Sequence, residues 1–265
     1  MEQPVFEELE QAAAILKMDV TAEDFANFAA SSDFNEQETE AVRRTFSYLS
    51  QRKKAAIVST LLRTSRLPTS VPKTFDNFDF SLLKGKDIDR LKAVPTLSAI
   101  YSHRNLAFIG PAGTGKTHLA QAFGYACCQQ GLRTYFIKAT ELRDKFVIAM
   151  RTGRTDSCLN GLVRPSCLII DEVGHCSFDK ESTRMFFDLI DRRYNKDGKN
   201  NIIFTSNKMP SAWRDDFDED ATLLCALDRI FDEATVFKLQ GKSFRGKKLE
   251  TVTLETSVAG AEAEK

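Results

Sequence analysis

Eight residues, Gly110-Pro111-Ala112-Gly113-Thr114-Gly115-Lys116-Thr117, restrict what this chain can fold into more than any other segment. They lie between an apolar run, Leu106 to Ile109, and a helical pattern that opens at His118, and they fit the spacing G-x-x-x-x-G-K-[ST]. Glycines let the short backbone curl until successive N–H groups face one point, and a helix starting there adds the positive end of its dipole. The segment from Gly110 to Thr117 is therefore expected to hold phosphates. Lys116 would neutralise the outer ones and Thr117 would place a hydroxyl on magnesium, which makes ATP and Mg2+ the expected cofactors. The alternative, a bland glycine turn, leaves the strand before it and the helix after it to chance.

From Asn105 onward, short apolar runs alternate with helical patterns, the signature of a parallel sheet with crossover helices. The fold class read from this is α/β: a P-loop domain with a five-stranded parallel sheet, preceded by a small all-helical N-terminal domain. Strands are expected at Leu106 to Gly110, Thr134 to Lys138, Cys167 to Asp171, Ile202 to Ser206 and Thr235 to Leu239. Helices are expected from Gly115 to about Gln130, from near Thr140, from Asp179 to about Tyr194 and from about Asp220 to Phe231. The expected division is a helical unit over 1–66, a linker over 67–74 marked by Pro68 and Pro72, the P-loop domain over 75–254, and a frayed polar end over 255–265.

A chain of 265 residues has room for one domain of ordinary size and an appendage, and 42% hydrophobic with 28% charged residues is the balance of a folded protein. No apolar run reaches the roughly 18 residues of a membrane span, and the acidic start lacks a signal peptide's basic head, so a cytoplasmic protein with no membrane partner is expected. Six cysteines without a C-x-x-C pair argue for reduced structural thiols over a zinc site or disulfide framework. Charge is balanced at 37 basic and 37 acidic residues, yet residues 1–40 hold eleven acids and one base, while residues 41–75 hold eight bases and no acid. That asymmetry suggests a nucleic-acid contact.

The strand Cys167-Leu-Ile-Ile170 runs straight into Asp171-Glu172, delivering two carboxylates to the sheet edge where ligands of open α/β sheets collect. Asp171 is expected in the magnesium shell, with Glu172 polarising the attacking water. Two solvated acids ending a strand are the alternative, which the nearby P-loop disfavours. Such a doublet also favours hydrolysis over phosphoryl transfer to a metabolite, so a small-molecule kinase is a distant reading. A further strand, Ile202-Ile-Phe-Thr-Ser206, ends in Asn207 at the same edge.

P-loop, Asp-Glu strand and Ser-Asn strand end, in this order, resemble the AAA+ ATPases. The segments FDNFDF (Phe75 to Phe80), GPAGTGKTHLAQAFGYACCQQG, LIIDEVG, TSN, LDRI and GKSFR are similar to IstB, the helper ATPase of insertion-sequence transposition, and to the DnaC replicative helicase loader, over about residues 67 to 247. The resemblance implies a homo-oligomer assembled on DNA with ATP between subunits, which recruits or stimulates a transposase; a DnaC-like helicase loader is the nearest rival. It assigns Lys116 and Thr117 to the phosphate loop, Asp171 and Glu172 to the second motif, and Asn207 to a first sensor that orients the lytic water or senses the γ-phosphate. Arg229 matches the arginine offered to a neighbour's γ-phosphate and Arg245 a second sensor; surface pairing with Asp228 or Asp232 is the bland alternative for both. His118 matches the family loop and is expected to pack at the helix start. Val173-Gly174-His175-Cys176 departs from the aromatic continuation expected there in IstB, and the chain stops too soon after Arg245 for a helical lid.

Placed on one helix at 100° per residue, residues 41–66 put Val42, Phe46, Leu49 and Ile57 on one side. Arg43, Arg44, Arg52, Lys54, Arg63 and Arg66 fall on the other, and only Lys53 intrudes on the apolar side. Arg43, Arg44, Arg52 and Lys54 are the candidate contacts to DNA phosphates, largely independent of sequence; a solvated helix face is the alternative.

Overall fold

The computed structural model describes residues 3–218, 220–232, 234–241 and 243–244. Three helices come first, α1 (Gln3–Leu16), α2 (Ala22–Ser31) and α3 (Glu36–Ser65). Thr21 and Asn35 open α2 and α3 with reciprocal caps: each side chain accepts from the N–H three residues on, while Asp24 and Glu38 accept from the cap N–H. Phe6, Leu9 and Ala29 form a small core against Phe25, Val42 and Phe46.

From Leu49 to Ile57 the expected apolar side of α3 is not buried. Leu49 and Ile57 are 44% and 38% exposed, and from Gln51 to Thr60 only Val58 is partly covered. Length explains this: at about 1.5 Å per residue α3 runs about 45 Å and α1 about 21 Å, so the packing partner ends well before the helix does. Good helix formers, Gln51, Arg52, Lys53, Lys54, Ala55 and Ala56, keep the bare stretch helical. Its last turn docks again, where Leu61, Leu62 and Leu67 join the core around the helix Lys116–Gln129. The segment read as a linker is thus anchored at its start, with Leu67 buried and the Tyr125 hydroxyl donating to the Pro68 carbonyl.

Short helices α4 (Ile88–Lys92) and α5 (Ser98–Tyr101) lead to the sheet. Its elements follow as β1 (Asn105–Ile109), α6 (Lys116–Gln129), β2 (Thr134–Lys138), α7 (Ala139–Arg151), α8 (Thr155–Val163), β3 (Cys167–Val173), α9 (Lys180–Tyr194), β4 (Asn201–Ser206), α10 (Asp220–Phe231) and β5 (Ala234–Lys238). All pairings are parallel, in the order β2-β3-β4-β1-β5. The five expected strands are present within a residue or two; α8 was not anticipated, because Asn160 and Gly161 interrupt its apolar pattern.

Strand residues alternate between two cores, which is why the strands read as unbroken apolar runs. Leu106, Phe108, Ile169 and Ile203 pack toward α6, with Cys127, Cys128 and Cys167 buried there as free thiols. Ala107, Ile109, Leu168, Ile170 and Phe204 pack toward the helices on the other face. Arg245 and the expected frayed end lie outside the described residues.

One buried charge organises the far end of the sheet. Arg193 on α9 is 1% exposed and donates to five carbonyls: Leu162, Val163, Pro165, Ser166 and Asn201, at 2.7 to 3.2 Å. It thereby joins the end of α8 to the starts of β3 and β4, and burial pulls its pKa down to about 10. Each buried carbonyl deprived of a donor costs about 1–3 kcal/mol. Val163 and Pro165 also accept from Lys196 Nζ, and Ser166 from the Asn201 N–H. Arg193→Met therefore deprives chiefly Leu162 and Asn201 and should lower the unfolding free energy by about 2–6 kcal/mol in urea titrations, with Arg193→Lys recovering part. A loss below about 1 kcal/mol would contradict this role.

Candidate functional site

The loop after β1 and the ends of β3 and β4 meet at one edge of the sheet and line a cavity of about 460 Å³. Ala112, Gly113, Gly115, Lys116, Thr117 and His118 form one wall; Glu172, His175, Thr205, Ser206 and Asn207 form the other. Segment 73–82 and Phe244 complete it, through Lys73, Asn77, Phe78, Asp79 and Leu82. The loop's glycines are required by space: a Cβ at Gly115 would stand 2.8 Å from the Phe78 ring, and one at Gly113 would overlap the Ser243 hydroxyl. Both also have positive φ, at 92° and 77°. Such a cradle, with a helix starting at Lys116, fits a phosphate chain.

Lys116 is buried, and its Nζ donates to the Pro111 carbonyl at 2.7 Å, while the Thr114 hydroxyl donates to the same oxygen at 2.9 Å. Gly110 closes the back of the loop against Leu239, whose N–H donates to the Ile109 carbonyl. His118 packs at the helix start as expected. Its Nε2–H donates to the Thr74 carbonyl at 2.9 Å, and burial lowers its pKa, so the neutral ring is held in one tautomer.

Asp171 lies beneath Thr117. It is 2% exposed, and its Oδ1 accepts from the Thr117 hydroxyl at 2.8 Å and the Thr205 hydroxyl at 2.5 Å. Burial pushes its pKa up, while the two hydroxyls act in the other direction. A hydroxyl and a carboxylate side by side at the phosphate loop are the oxygen donors Mg2+ takes. Adjacent strand residues ordinarily point to opposite faces. A register shift between Ile170 and Val173, with Glu172 at φ 62°, turns Glu172 into the cavity instead. Its N–H is held by Thr205 Oγ1 at 3.0 Å, and its carboxylate pairs with Lys138 Nζ at 3.0 Å.

Asn207 stands opposite, its Nδ2 3.0 Å from His175 Nε2. Arg229 does not approach this cavity. It pairs with Asp191 at 3.0 Å, where neither Asp228 nor Asp232 was the partner, and stacks over Phe187 at 5.1 Å. Arg43, Arg44, Arg52 and Lys54 all lie on α3, away from the site. Arg43 pairs with Glu8 and Glu40, and Arg44 with Glu40, at 2.6 to 2.9 Å, so the basic face is neutralised at its start. The sequence reading gave no role to Phe78, Thr205, Lys138 or His175. Lys138 had a signal, since the end of β2 was already expected at this edge.

Thr205 has a measurable consequence. Thr205→Val keeps the shape but leaves Asp171 Oδ1 and the Glu172 N–H short of a partner, which should cost about 2–3 kcal/mol in denaturant unfolding. An unchanged midpoint would show that the hydroxyl is not what joins β3 to β4.

Comparison with known proteins adds to this geometry. The family of IstB-like ATP binding proteins matches residues 11–251. The insertion sequence IS5376 ATP-binding protein of Geobacillus stearothermophilus is 37% identical over 193 residues, 73% of this chain and 75% of that protein. The insertion sequence IS21 ATP-binding protein of Pseudomonas aeruginosa is 33% identical over 186 residues, 70% and 68% of the two chains. Among solved structures, the DnaC helicase loader superposes with a TM-score of 0.52 at 19% identity, over 63% of this chain and 97% of that one. AMPPCP-bound DnaA from Aquifex aeolicus gives 0.53 at 21%, over 66% of this chain and 51% of that one. At these identities the structures share the fold.

Proposed function

Because the chain belongs to the family of IstB-like ATP binding proteins, we propose that it is the ATP-hydrolysing helper of an insertion sequence, assembling on DNA as a homo-oligomer and recruiting or stimulating a transposase. The observation that carries the reading is the convergence of Lys116, Thr117, Glu172 and Asn207 on one cavity, with Asp171 beneath Thr117. In this reading the glycine loop and Lys116 hold the phosphates, Thr117 and Asp171 hold Mg2+, Glu172 accepts the proton of the attacking water and Asn207 orients that water. Glu172 reaches the water once it leaves Lys138. The two relatives named above, at 37% and 33% identity, are insertion-sequence proteins, which favours this over a helicase loader. No helix among the described residues is long and apolar enough to cross a membrane; work on DNA in the cytoplasm is part of the same proposal.

Arg229 supports nucleotide at subunit interfaces. It stands in the last turn of α10, just before β5, whose first residue pairs with Asn105 at the start of β1, whereas the phosphate loop follows the end of β1. A strand of five residues separates the two by about 16 Å, so Arg229 serves a neighbour's site and Arg245 is left as a second sensor in the same proposal. Residues 1–66 are the proposed partner and DNA unit, joined through 67–74 to the ATPase domain over 75–254. Arg52 and Lys54 make no ion pair among the described residues and, with neighbouring Lys53 and Arg63, form its phosphate-contacting surface. Arg43 and Arg44 contribute only by leaving Glu40, which they hold down to a pKa of about 2.

Two experiments test the proposal. Glu172→Gln should bind ATP normally and hydrolyse it about 10²–10⁴-fold more slowly, and Arg229→Ala should be inactive only when assembled. Mixing the two should restore part of the activity, because one competent interface forms from two defective subunits; co-assembly without recovery at any ratio argues against a trans arginine. Replacing Arg52, Lys53, Lys54 and Arg63 with Ala should weaken DNA binding across sequences and flatten the salt dependence by about 0.9 per lost phosphate contact. Unchanged DNA affinity would move the DNA path to the ATPase domain.

A further inference from the structure

His175 belongs to the loop that departs from the family pattern, yet it lines the nucleotide cavity between Glu172 and Asn207. Its Nε2 lies 3.0 Å from Asn207 Nδ2. An amide nitrogen has no lone pair to offer, so Asn207 donates and the imidazole accepts, with its own proton on Nδ1. That contact fixes which way the carboxamide faces. With Nδ2 turned to His175, Oδ1 is the acceptor left for the cavity.

Both ends of the contact sit on rigid backbone. Gly174 turns at φ 91°, the His175 N–H donates to the Glu172 carbonyl at 3.2 Å, and Phe178 stacks on Phe217 at 4.6 Å. The Phe178 N–H donates to the Asp216 carbonyl at 2.8 Å, and Asp216 is held by Lys208 at 2.7 Å. On the other side, Ser206 Oγ donates to the Val173 carbonyl at 2.6 Å and accepts from the Lys208 N–H at 3.0 Å. Asn207 lies between those two anchors. His175 and Asn207 are themselves exposed, so their hydrogen bond does little for folding and is available for function.

We propose that His175 is a positioning residue for hydrolysis: it accepts from Asn207 Nδ2 and so presents Asn207 Oδ1 as the acceptor for the attacking water. This rests on the ATPase reading above. In the step itself, the water oxygen bonds to the γ-phosphorus, one water proton passes to the Glu172 carboxylate, and the bond to the β–γ bridging oxygen breaks with its electron pair leaving on ADP. The second water hydrogen points at Asn207 Oδ1. His175 touches neither nucleotide nor water.

The test compares the full-length parent with His175→Ala, His175→Gln, His175→Lys and Glu172→Gln under assembly conditions. Misplacing a positioned group costs up to about 10²-fold, so His175→Ala should lower kcat by about 10- to 100-fold. KM and the Kd of a non-hydrolysable ATP analogue should stay unchanged. Gln places its Oε1 where Nε2 sits and can accept, so His175→Gln should restore most of kcat; Lys only donates and should not. Parental kcat in His175→Ala, or equal loss in the Gln and Lys variants, overturns the proposal while Glu172→Gln stays inactive. If the parent does not turn over, or Glu172→Gln matches it, the hydrolysis reading falls and this one with it.

Discussion

A single buried carboxylate oxygen holds the site together. Asp171 Oδ1 accepts from Thr117, on the first turn of α6, and from Thr205, on β4, while Asp171 itself ends the apolar part of β3. Three elements distant in sequence are thus tied at one atom. A carboxylate with neither an ion pair among the described residues nor full solvation is costly, and burial accordingly raises its pKa. Two short hydroxyl bonds offset part of that cost. Under the proposed reading a divalent cation beside Thr117 would offset more, so the burial that penalises the charge also favours the metal.

Three other polar groups of the site are engaged by a protein partner: Lys116 by the Pro111 carbonyl, Glu172 by Lys138 and Asn207 by His175. Magnitudes decide whether these contacts lock the site or merely order it. The Lys138 and Glu172 side chains are 46% and 42% exposed, and pairs of that kind are worth about 0–1 kcal/mol. Under the proposed reading, phosphate groups and a metal would exert far stronger fields, and the pair would yield. Strain in the backbone is larger: Glu172 at φ 62° stores on the order of 1–3 kcal/mol, held by its N–H bond to Thr205. Side chains here exchange partners easily, whereas the bulge that aims Glu172 does not relax.

Much of this was legible in the sequence, and the reason is local. The phosphate loop needs particular residues at particular spacings, and each strand reads as an apolar run because both faces of the sheet are covered. Asp171, Glu172 and Asn207 could be placed because each directly ends such a run. Phe78 and Thr205 were not singled out, because their roles depend on which segments meet across the sheet edge. Phe78 comes from about forty residues upstream, and Thr205 looks like one more strand residue until its hydroxyl is seen to bind two partners. Leu49 and Ile57 failed for a related reason: periodicity gives the side of a helix, while burial depends on whether a partner is long enough to cover it.

The same helix shows how segregated charge should be read. Counting along the chain sets eleven acids in residues 1–40 against an acid-free stretch over 41–75, which suggests one strongly basic face. Spatially the boundary is neutral, because Glu8 and Glu40 engage Arg43 and Arg44. Arg52 lies twelve residues beyond Glu40, about 18 Å along the axis, and exposed charges are largely screened beyond about 8 Å at physiological salt. The acidic helices therefore cannot quench Arg52, Lys53 and Lys54. Those three stand on a stretch of α3 with almost no packing partner, so a polyanion could approach them from most directions. In the proposed reading, what makes this segment a phosphate surface is less the net count of bases than how few acids and neighbours stand around it among the described residues.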